Sequence, residues 1–201
     1  MDFIKTKENL EKKEFKVTCF ETANQAKEYL VNEIKNKTVG FGGSVTLQEM
    51  GLYELLSENN TVLWHWNPLC GKSPKDMLEA SKNADVYISS ANGISQTGEI
   101  INIDGTGNRV AAISHGHEKV YIILGINKLE ENFEKALFRA RNIAAPLNAK
   151  RLNRNTPCAA KGDKCYDCSS LDRICRNLSV LYSKPSGAEY EVILINEKLG
   201  Y

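Results

Sequence analysis

Hydrophobic and polar positions change their spacing along the chain, and the changes mark out helices and strands in turn. Residues 1–13 read as a charged helix. The run Phe15–Phe20 reads as a strand. Thr22 then caps a helix to about Ile34, with Ala23, Ala26, Tyr29, Leu30 and Ile34 on one face. Thr38-Val39-Gly40-Phe41 predicts a short buried strand, followed by a helix from Ser44 to about Glu58. Thr61–Trp66 and Asp85–Ser89 are further strands on either side of a helix at Pro74–Ser81. Gly98–Ile103 and Asn108–Ile113 flank Asp104-Gly105-Thr106-Gly107, which predicts a β-hairpin with a Gly-rich turn. Val120–Leu124 is an apolar strand, and Glu130–Ala144 is an amphipathic helix that ends at Pro146. Leu178–Tyr182 and Tyr190–Ile195 are the last strand-like runs.

Such an alternation predicts an α/β fold. It has three layers, a mainly parallel sheet with helices on both faces, and an antiparallel interruption at the hairpin. At 201 residues the expectation is one domain over residues 1–201, with a core that needs no disulfides. Hydrophobic residues at 42% and charged residues at 25% exclude a collagen-like, low-complexity or disordered chain. No apolar run is long enough to span a bilayer. The opening Met1-Asp2-Phe3-Ile4-Lys5 has no signal-peptide core, so a cytoplasmic location is expected. A net charge of +1 gives no global pull toward nucleic acid or a membrane surface.

Local charge changes this picture. From Lys135 to Lys184 there are eleven Lys or Arg against three Asp, a local net of +8. The same stretch holds four of the six cysteines, spaced Cys158-x6-Cys165-x2-Cys168-x6-Cys175. In a cytoplasmic protein such a group reads as metal or redox chemistry and not as a disulfide framework. A pair two residues apart can turn both sulfurs toward one centre, and the outer cysteines close it from either side. Zinc sites more often hold two close pairs. The single close pair here favours a four-iron four-sulfur cluster over zinc, with free or redox-active thiols as the third reading. Lys161, Lys164, Arg173 and Arg176 would offset the thiolate charge. The segment at about 155–180 therefore reads as a Cys-rich lobe on the α/β body. Cys19, in an apolar run, is expected to be a buried thiol. Cys70, in a loop after Pro68, receives no role.

In α/β sheets ligands sit outside the carboxyl ends of the strands, which singles out three loops. In the first, Gly42 and Gly43 permit close backbone approach, and Ser44 and Thr46 add hydroxyls, so a phosphate or carboxylate fits. A tight turn with a serine cap explains the same residues equally well. The second runs from Ser89 to Glu99 and offers Asn92, Gly93, Gln96, Thr97 and Gly98 to a polar ligand. Glu99 is a candidate base or nucleophile there, or else an exposed strand residue. The third carries His115 and His117, which share one face if the loop is extended. Arg109 is a candidate partner for a ligand carboxylate.

Several of these residues occur in a familiar arrangement. Val39-Gly40-Phe41-Gly42-Gly43-Ser44, the stretch from Ala84 to Ile100 with Asn92-Gly93-Ile94-Ser95-Gln96-Thr97-Gly98-Glu99, Asn108-Arg109-Val110-Ala111-Ala112, His115-Gly116-His117 and Tyr121–Lys128 together resemble the LUD domain. This is the lactate-utilisation protein C (LutC/YkgG-like) family, and the resemblance covers nearly the whole chain. It implies a fold similar to glucosamine-6-phosphate deaminase, ribose-5-phosphate isomerase and CoA transferase, the NagB/RpiA/CoA transferase-like fold. It also implies involvement in lactate oxidation beside iron–sulfur and flavin oxidoreductase subunits. The residue before Thr97-Gly98 is often acidic in the family and is Gln96 here, and the four-cysteine tail looks like a subgroup feature.

Three functional readings follow. The first is an iron–sulfur redox component in oxidation of lactate or a related small hydroxy acid. The second is an enzyme of the sugar-phosphate isomerase or CoA-transferase type acting on a small anionic metabolite. The third is a zinc-binding or thiol-based regulatory protein. A homo-oligomer is compatible with all three, and no nucleic-acid partner is expected.

Overall fold

A computed structural model describes residues 3–201. The chain begins with helix α1 (Phe3–Lys12), so the first two residues of the predicted charged helix lie outside the described residues. Six strands form one sheet in which every neighbouring pair is parallel: β1 (Lys16–Phe20), β2 (Thr38–Phe41), β3 (Thr61–Trp64), β4 (Val86–Ser89), β7 (Lys119–Gly125) and β10 (Glu189–Ile195). Their order across the sheet is β1-β10-β7-β4-β2-β3. The run from Val120 to Gly125 in β7 is buried throughout, as a central parallel strand covered on both faces requires.

One face carries α2 (Ala23–Glu33), α3 (Val45–Glu49) and α4 (Leu52–Ser57). Leu30, Leu47 and Leu56 pack there on Phe41, Ile123 and Ile193. Thr22 forms a capping box with Gln25, which fixes the start of α2. The single helix expected from Ser44 to Glu58 is two. Gly51 adopts φ 62° between them and breaks the run. On the other face, helix α5 (Pro74–Ser81) starts from a Ser73–Asp76 capping box.

That second face also holds a second sheet that the sequence pattern does not announce. It comprises β5 (Gly93–Ser95), β6 (Ile100–Asp104), β8 (Leu129–Glu130) and β9 (Asn177–Leu181), in the order β8-β5-β6-β9. Ile94, Ile100 and Leu181 pack with Val120, Ile122 and Val192 of the large sheet. The hairpin exists but is displaced. β5 and β6 pair antiparallel around a turn at residues 96–99, where Gly98 takes φ 93°. Asn108–Ile113, expected as its second arm, lies in helix α6 (Asn108–Ser114). The Asp104 carboxylate accepts the backbone N–H groups of Thr106, Gly107, Arg109 and Val110, so Asp104–Gly107 is a helix entry and not a hairpin turn. Val110 and Ile113, three apart, supply the buried side of α6.

The helix expected to end at Pro146 continues through it. Asn132 caps α7 (Phe133–Arg139), a π-helical stretch covers Ala140–Ala144, and α8 runs Ala145–Arg151. The Ala145 N–H donates to Ala140 O, five residues back, and this wide turn accommodates a proline that has no N–H to give. Helix α9 (Pro157–Lys161) and a stretch without helix or strand over residues 162–176 complete the Cys-rich segment. Cys19 is exposed near the end of the edge strand β1, so it is not the buried core thiol expected.

Candidate functional site

From β2 the chain turns outward to β3, and from β4 it leaves in the opposite direction. The carboxyl ends of these neighbours form a topological switch point, where open α/β sheets hold ligands. A cavity of about 490 Å³ opens there. Gly43, Ser44 and Thr46 after β2, Ser90–Asn92 after β4, and Lys128 after β7 line its floor.

The two glycines of the first loop serve packing. A Cβ on Gly42 would lie 2.7 Å from Ser89 Oγ and 3.2 Å from Arg109 Cδ, and one on Gly43 would lie 3.2 Å from His65 and Trp66. Gly42 N–H is already committed to Ile88 O at 2.9 Å, and Ser44 Oγ caps α3 by accepting from Leu47 N. The loop thus brings Ser44 and Thr46 to the cavity, with the Gly42 and Leu47 N–H groups already engaged.

Lys128 ends the short 3₁₀ turn Ile126–Lys128 and is buried. Its Nζ donates to Thr46 Oγ1 at 2.8 Å, Ser90 Oγ at 2.9 Å and Ala91 O at 3.2 Å. Two more cations surround the same loop. Arg139 donates to Asn127 O at 2.7 Å and Asn92 O at 2.6 Å. Arg109 donates to Ser90 O, Asn92 Oδ1, Ile103 O and the Asn102 side chain. Among the described residues none of the three forms an ion pair. Burial, with the neighbouring charges of Arg139 and Arg109, pushes Lys128 down to about 7, against a small opposing pull from Glu49. Both arginines are also lowered by burial, yet a guanidinium keeps its charge.

The upper walls are aromatic and basic. Trp66 stacks on Trp64 with centroids 5.3 Å apart, and the Arg151 guanidinium of α8 lies 4.6 Å from the Trp66 ring centroid. Burial lowers the pKa of His65, which keeps its ring neutral near pH 7. Arg154 pairs with Asp172 at 3.0 Å. Residues Leu171–Ile174 and Arg176 of the Cys-rich segment roof the cavity. Arg173 anchors that roof by donating to Cys168 O at 2.7 Å and Cys175 Sγ at 3.3 Å.

The family model described as LUD domain matches residues 4–195. The chain belongs to the LUD domain family. That family is associated with lactate utilisation. A crystal structure of a DUF162 family protein from Deinococcus radiodurans is 14% identical, with a TM-score of 0.54 over 96% of this chain and 94% of that one. At that identity the likeness shows the fold alone. Ribose 5-phosphate isomerase from Plasmodium falciparum matches 55% of this chain and 52% of its own at 16% identity and a TM-score of 0.36. The eIF2B delta structure from Chaetomium thermophilum matches 58% and 50% at 15% identity and a TM-score of 0.37. No curated protein sequence matches the chain. No helix among the described residues is long and apolar enough to cross a membrane.

Within this LUD domain the residues singled out from sequence divide into two groups. Gly43, Ser44, Thr46, Asn92 and Arg109 line the cavity, and Gly42 backs it. Gly93 lies in β5, where a Cβ would meet Ala136 O at 2.7 Å, so it serves helix packing. Gln96, Thr97, Gly98 and Glu99 form the closed turn of the hairpin, at the end away from Asn92 and Asp104, against α1. Burial alone would raise the Glu99 pKa. Hydrogen bonds from Lys13, Ser95 and Thr97 outweigh it and hold the carboxyl at about 2, too low for a general base near neutrality.

The histidines lie at the opposite edge of the large sheet, before β7. His117 is buried, contacts Ala84 O through Nδ1 at 2.7 Å and stacks on Tyr87, whereas His115 is exposed beyond the end of α6. The geometry brings neither into the cavity. The four tail cysteines are free and partly buried, and Cys165 and Cys175 border a second cavity of about 220 Å³ with Arg141 and Arg173. Among the described residues, no three His, Cys, Asp or Glu side chains are gathered so as to hold a metal ion. The thiols as arranged therefore do not fit a four-thiolate centre. Lys128, the buried cation at the floor, and Arg139, which donates to Asn127 O and Asn92 O beside it, were not singled out in the sequence.

Proposed function

We propose that this LUD domain binds a small carboxylate- or phosphate-bearing metabolite in the cleft at the β2–β4 switch point, with Lys128 as the cation at its floor. The observation that carries this reading is the cluster of Lys128, Arg109 and Arg139. Lys128 and Arg139 are buried and Arg109 is partly buried, and all three have hydrogen-bond acceptors but no ion-paired carboxylate, so an anion would supply balancing charge. The hydroxyls of Ser44, Thr46 and Ser90 add donors, and Arg151 and Arg176 extend positive charge toward the entrance. The family's association with lactate utilisation makes a hydroxy or oxo acid the first ligand to try. Calorimetric titration with lactate, pyruvate and inorganic phosphate tests the reading. Saturable binding to the wild type, weakened at least about tenfold in Lys128→Met, about 1.4 kcal/mol, supports it. The absence of binding by all three, or equal binding by the variant, refutes it.

A second reading gives the Cys-rich segment an iron–sulfur or zinc centre and a redox role beside partner subunits. What favours it is the stretch at residues 162–176, without helix or strand, with Cys165 and Cys175 on one cavity. It requires Cys158 and Cys168 to move toward that cavity. Iron, sulfide and zinc analysis of anaerobically purified protein decides it, and their joint absence removes it.

A further inference from the structure

The floor of the cleft holds an amine in a setting unlike that of a lysine kept only for charge. Lys128 is 4% exposed, yet it borders the cavity. Around it stand Arg139 on α7 and Arg109 on α6, and the one facing carboxylate, Glu49 of α3, is not at ion-pair distance. The three acceptors Thr46 Oγ1, Ser90 Oγ and Ala91 O satisfy the three protons of the ammonium. Loss of one proton leaves two of these contacts and frees a lone pair. The cavity wall carries Arg151 and Arg176, which can hold a ligand carboxylate or phosphate while another of its atoms meets the amine.

We propose that Lys128 is a nucleophile that forms a reversible imine with the carbonyl of an anionic 2-oxo acid or phosphorylated ketone bound in this cleft. The inference rests on the anion-binding reading above and goes further by naming a carbonyl as the reacting group. The Nζ lone pair forms a bond to the carbonyl carbon, and the C–O π pair passes to oxygen. The two amine protons leave with that oxygen as water, and an N=C bond remains. No electrons are gained or lost. Thr46 and Ser90, hydrogen-bonded to Nζ, are placed to relay the protons. A lysine with a proton affinity lowered by burial among cations reacts in this way at neutral pH, where an exposed one stays protonated.

The test uses the full chain with two probes, pyruvate and dihydroxyacetone phosphate, each incubated with sodium borohydride. The hydride reduces an imine to a stable secondary amine. The expected result with pyruvate is one adduct, heavier by pyruvic acid less one oxygen atom, mapped to the Lys128 peptide. With dihydroxyacetone phosphate the adduct is the corresponding one. The surface lysines of the same molecule serve as internal references, and trapping at Lys128 should exceed theirs at least about tenfold at pH 7.5. Lys128→Arg keeps a cation without a nucleophilic amine. It should abolish the adduct while the variant still unfolds cooperatively in urea. An adduct absent from Lys128 with both probes, or spread equally over surface lysines, overturns the imine. If wild type then still binds phosphate, only the imine falls. If it binds none of the anions, the anion-binding reading falls with it.

Discussion

Replacing Lys128 by Met tests the electrostatics of the cleft floor without any ligand. Methionine keeps the length and apolar stem of lysine and removes the charge. Burial lowers Lys128 from its ordinary 10.5 to about 7. The unfolded chain therefore binds more protons than the folded one between those values, and stability rises with pH across that window. The penalty for folding around Lys128 is fully present below pH 7 and gone above 10.5. At pH 6 it amounts to about 5 kcal/mol, and at pH 9 to about 2 kcal/mol. The lost hydrogen bonds to Thr46, Ser90 and Ala91 cost the variant an amount that does not change with pH. The difference in unfolding free energy, wild type minus Lys128→Met, should therefore rise by about 3 kcal/mol from pH 6 to pH 9. Urea unfolding of both proteins at the two pH values measures it, with titrations elsewhere cancelling. A difference that stays constant would mean that Lys128 titrates like an exposed lysine, and the argument for a desolvated amine would fail.

Other sites give sharper contrasts between structure and ligand binding. Glu99→Gln should cost about 1–3 kcal/mol at pH 7 and leave anion affinity unchanged. Because Glu99 is held at about 2, below its ordinary 4.5, that cost should fade as pH drops from 5 toward 2 in acid-unfolding curves. Gly42→Ala places a Cβ 2.7 Å from Ser89 Oγ and 3.2 Å from Arg109 Cδ. It should destabilise by about 1–3 kcal/mol and weaken phosphate binding by displacing Arg109, as read by thermal unfolding and calorimetry. His117→Ala should lose about 2 kcal/mol of stability through the Tyr87 stack and the Ala84 contact, while His115→Ala stays within about 0.5 kcal/mol. Neither histidine variant should alter anion affinity.

The large sheet was legible because its strands are short apolar runs bounded by polar turns, and a strand buried on both faces has that signature. The Thr22 capping box likewise has a local cause three residues wide. The second sheet was not legible, since its strands β5 and β8 have three and two residues and their pairing is non-local. The false hairpin shows the same limit. Asp104-Gly105-Thr106-Gly107 suits a turn between strands and a helix entry alike, and the choice is made by four N–H groups converging on one carboxylate. Pro146 misled for a different reason. A proline stops a regular α-helix, but a π-helical stretch before it removes the offending hydrogen bond, and nothing in the apolar spacing marks such a stretch.

The site was half legible for a related reason. Gly42, Gly43, Ser44, Asn92 and Arg109 fall on loops that follow strands, so the rule about carboxyl ends reached them. The same rule also reached Glu99 and the histidine loop, which fold elsewhere. The hairpin turns Glu99 back toward Lys13, and the His115–His117 loop precedes β7. Lys128 was missed because a lysine in sequence carries no mark of burial, and most are solvated. Its one available signal was position, three residues beyond the last residue of a central buried strand. A chain leaving the centre of a parallel sheet at its carboxyl edge passes directly over the switch point. A polar side chain there is either turned to solvent or enclosed with whatever the cleft binds. In this LUD domain, Ser90 and Thr46 close around the Lys128 ammonium, and a Cβ on Gly200 would lie 3.4 Å from it. The enclosure is contributed by segments far apart in sequence, and for that reason the chemistry of the lysine becomes visible only after folding.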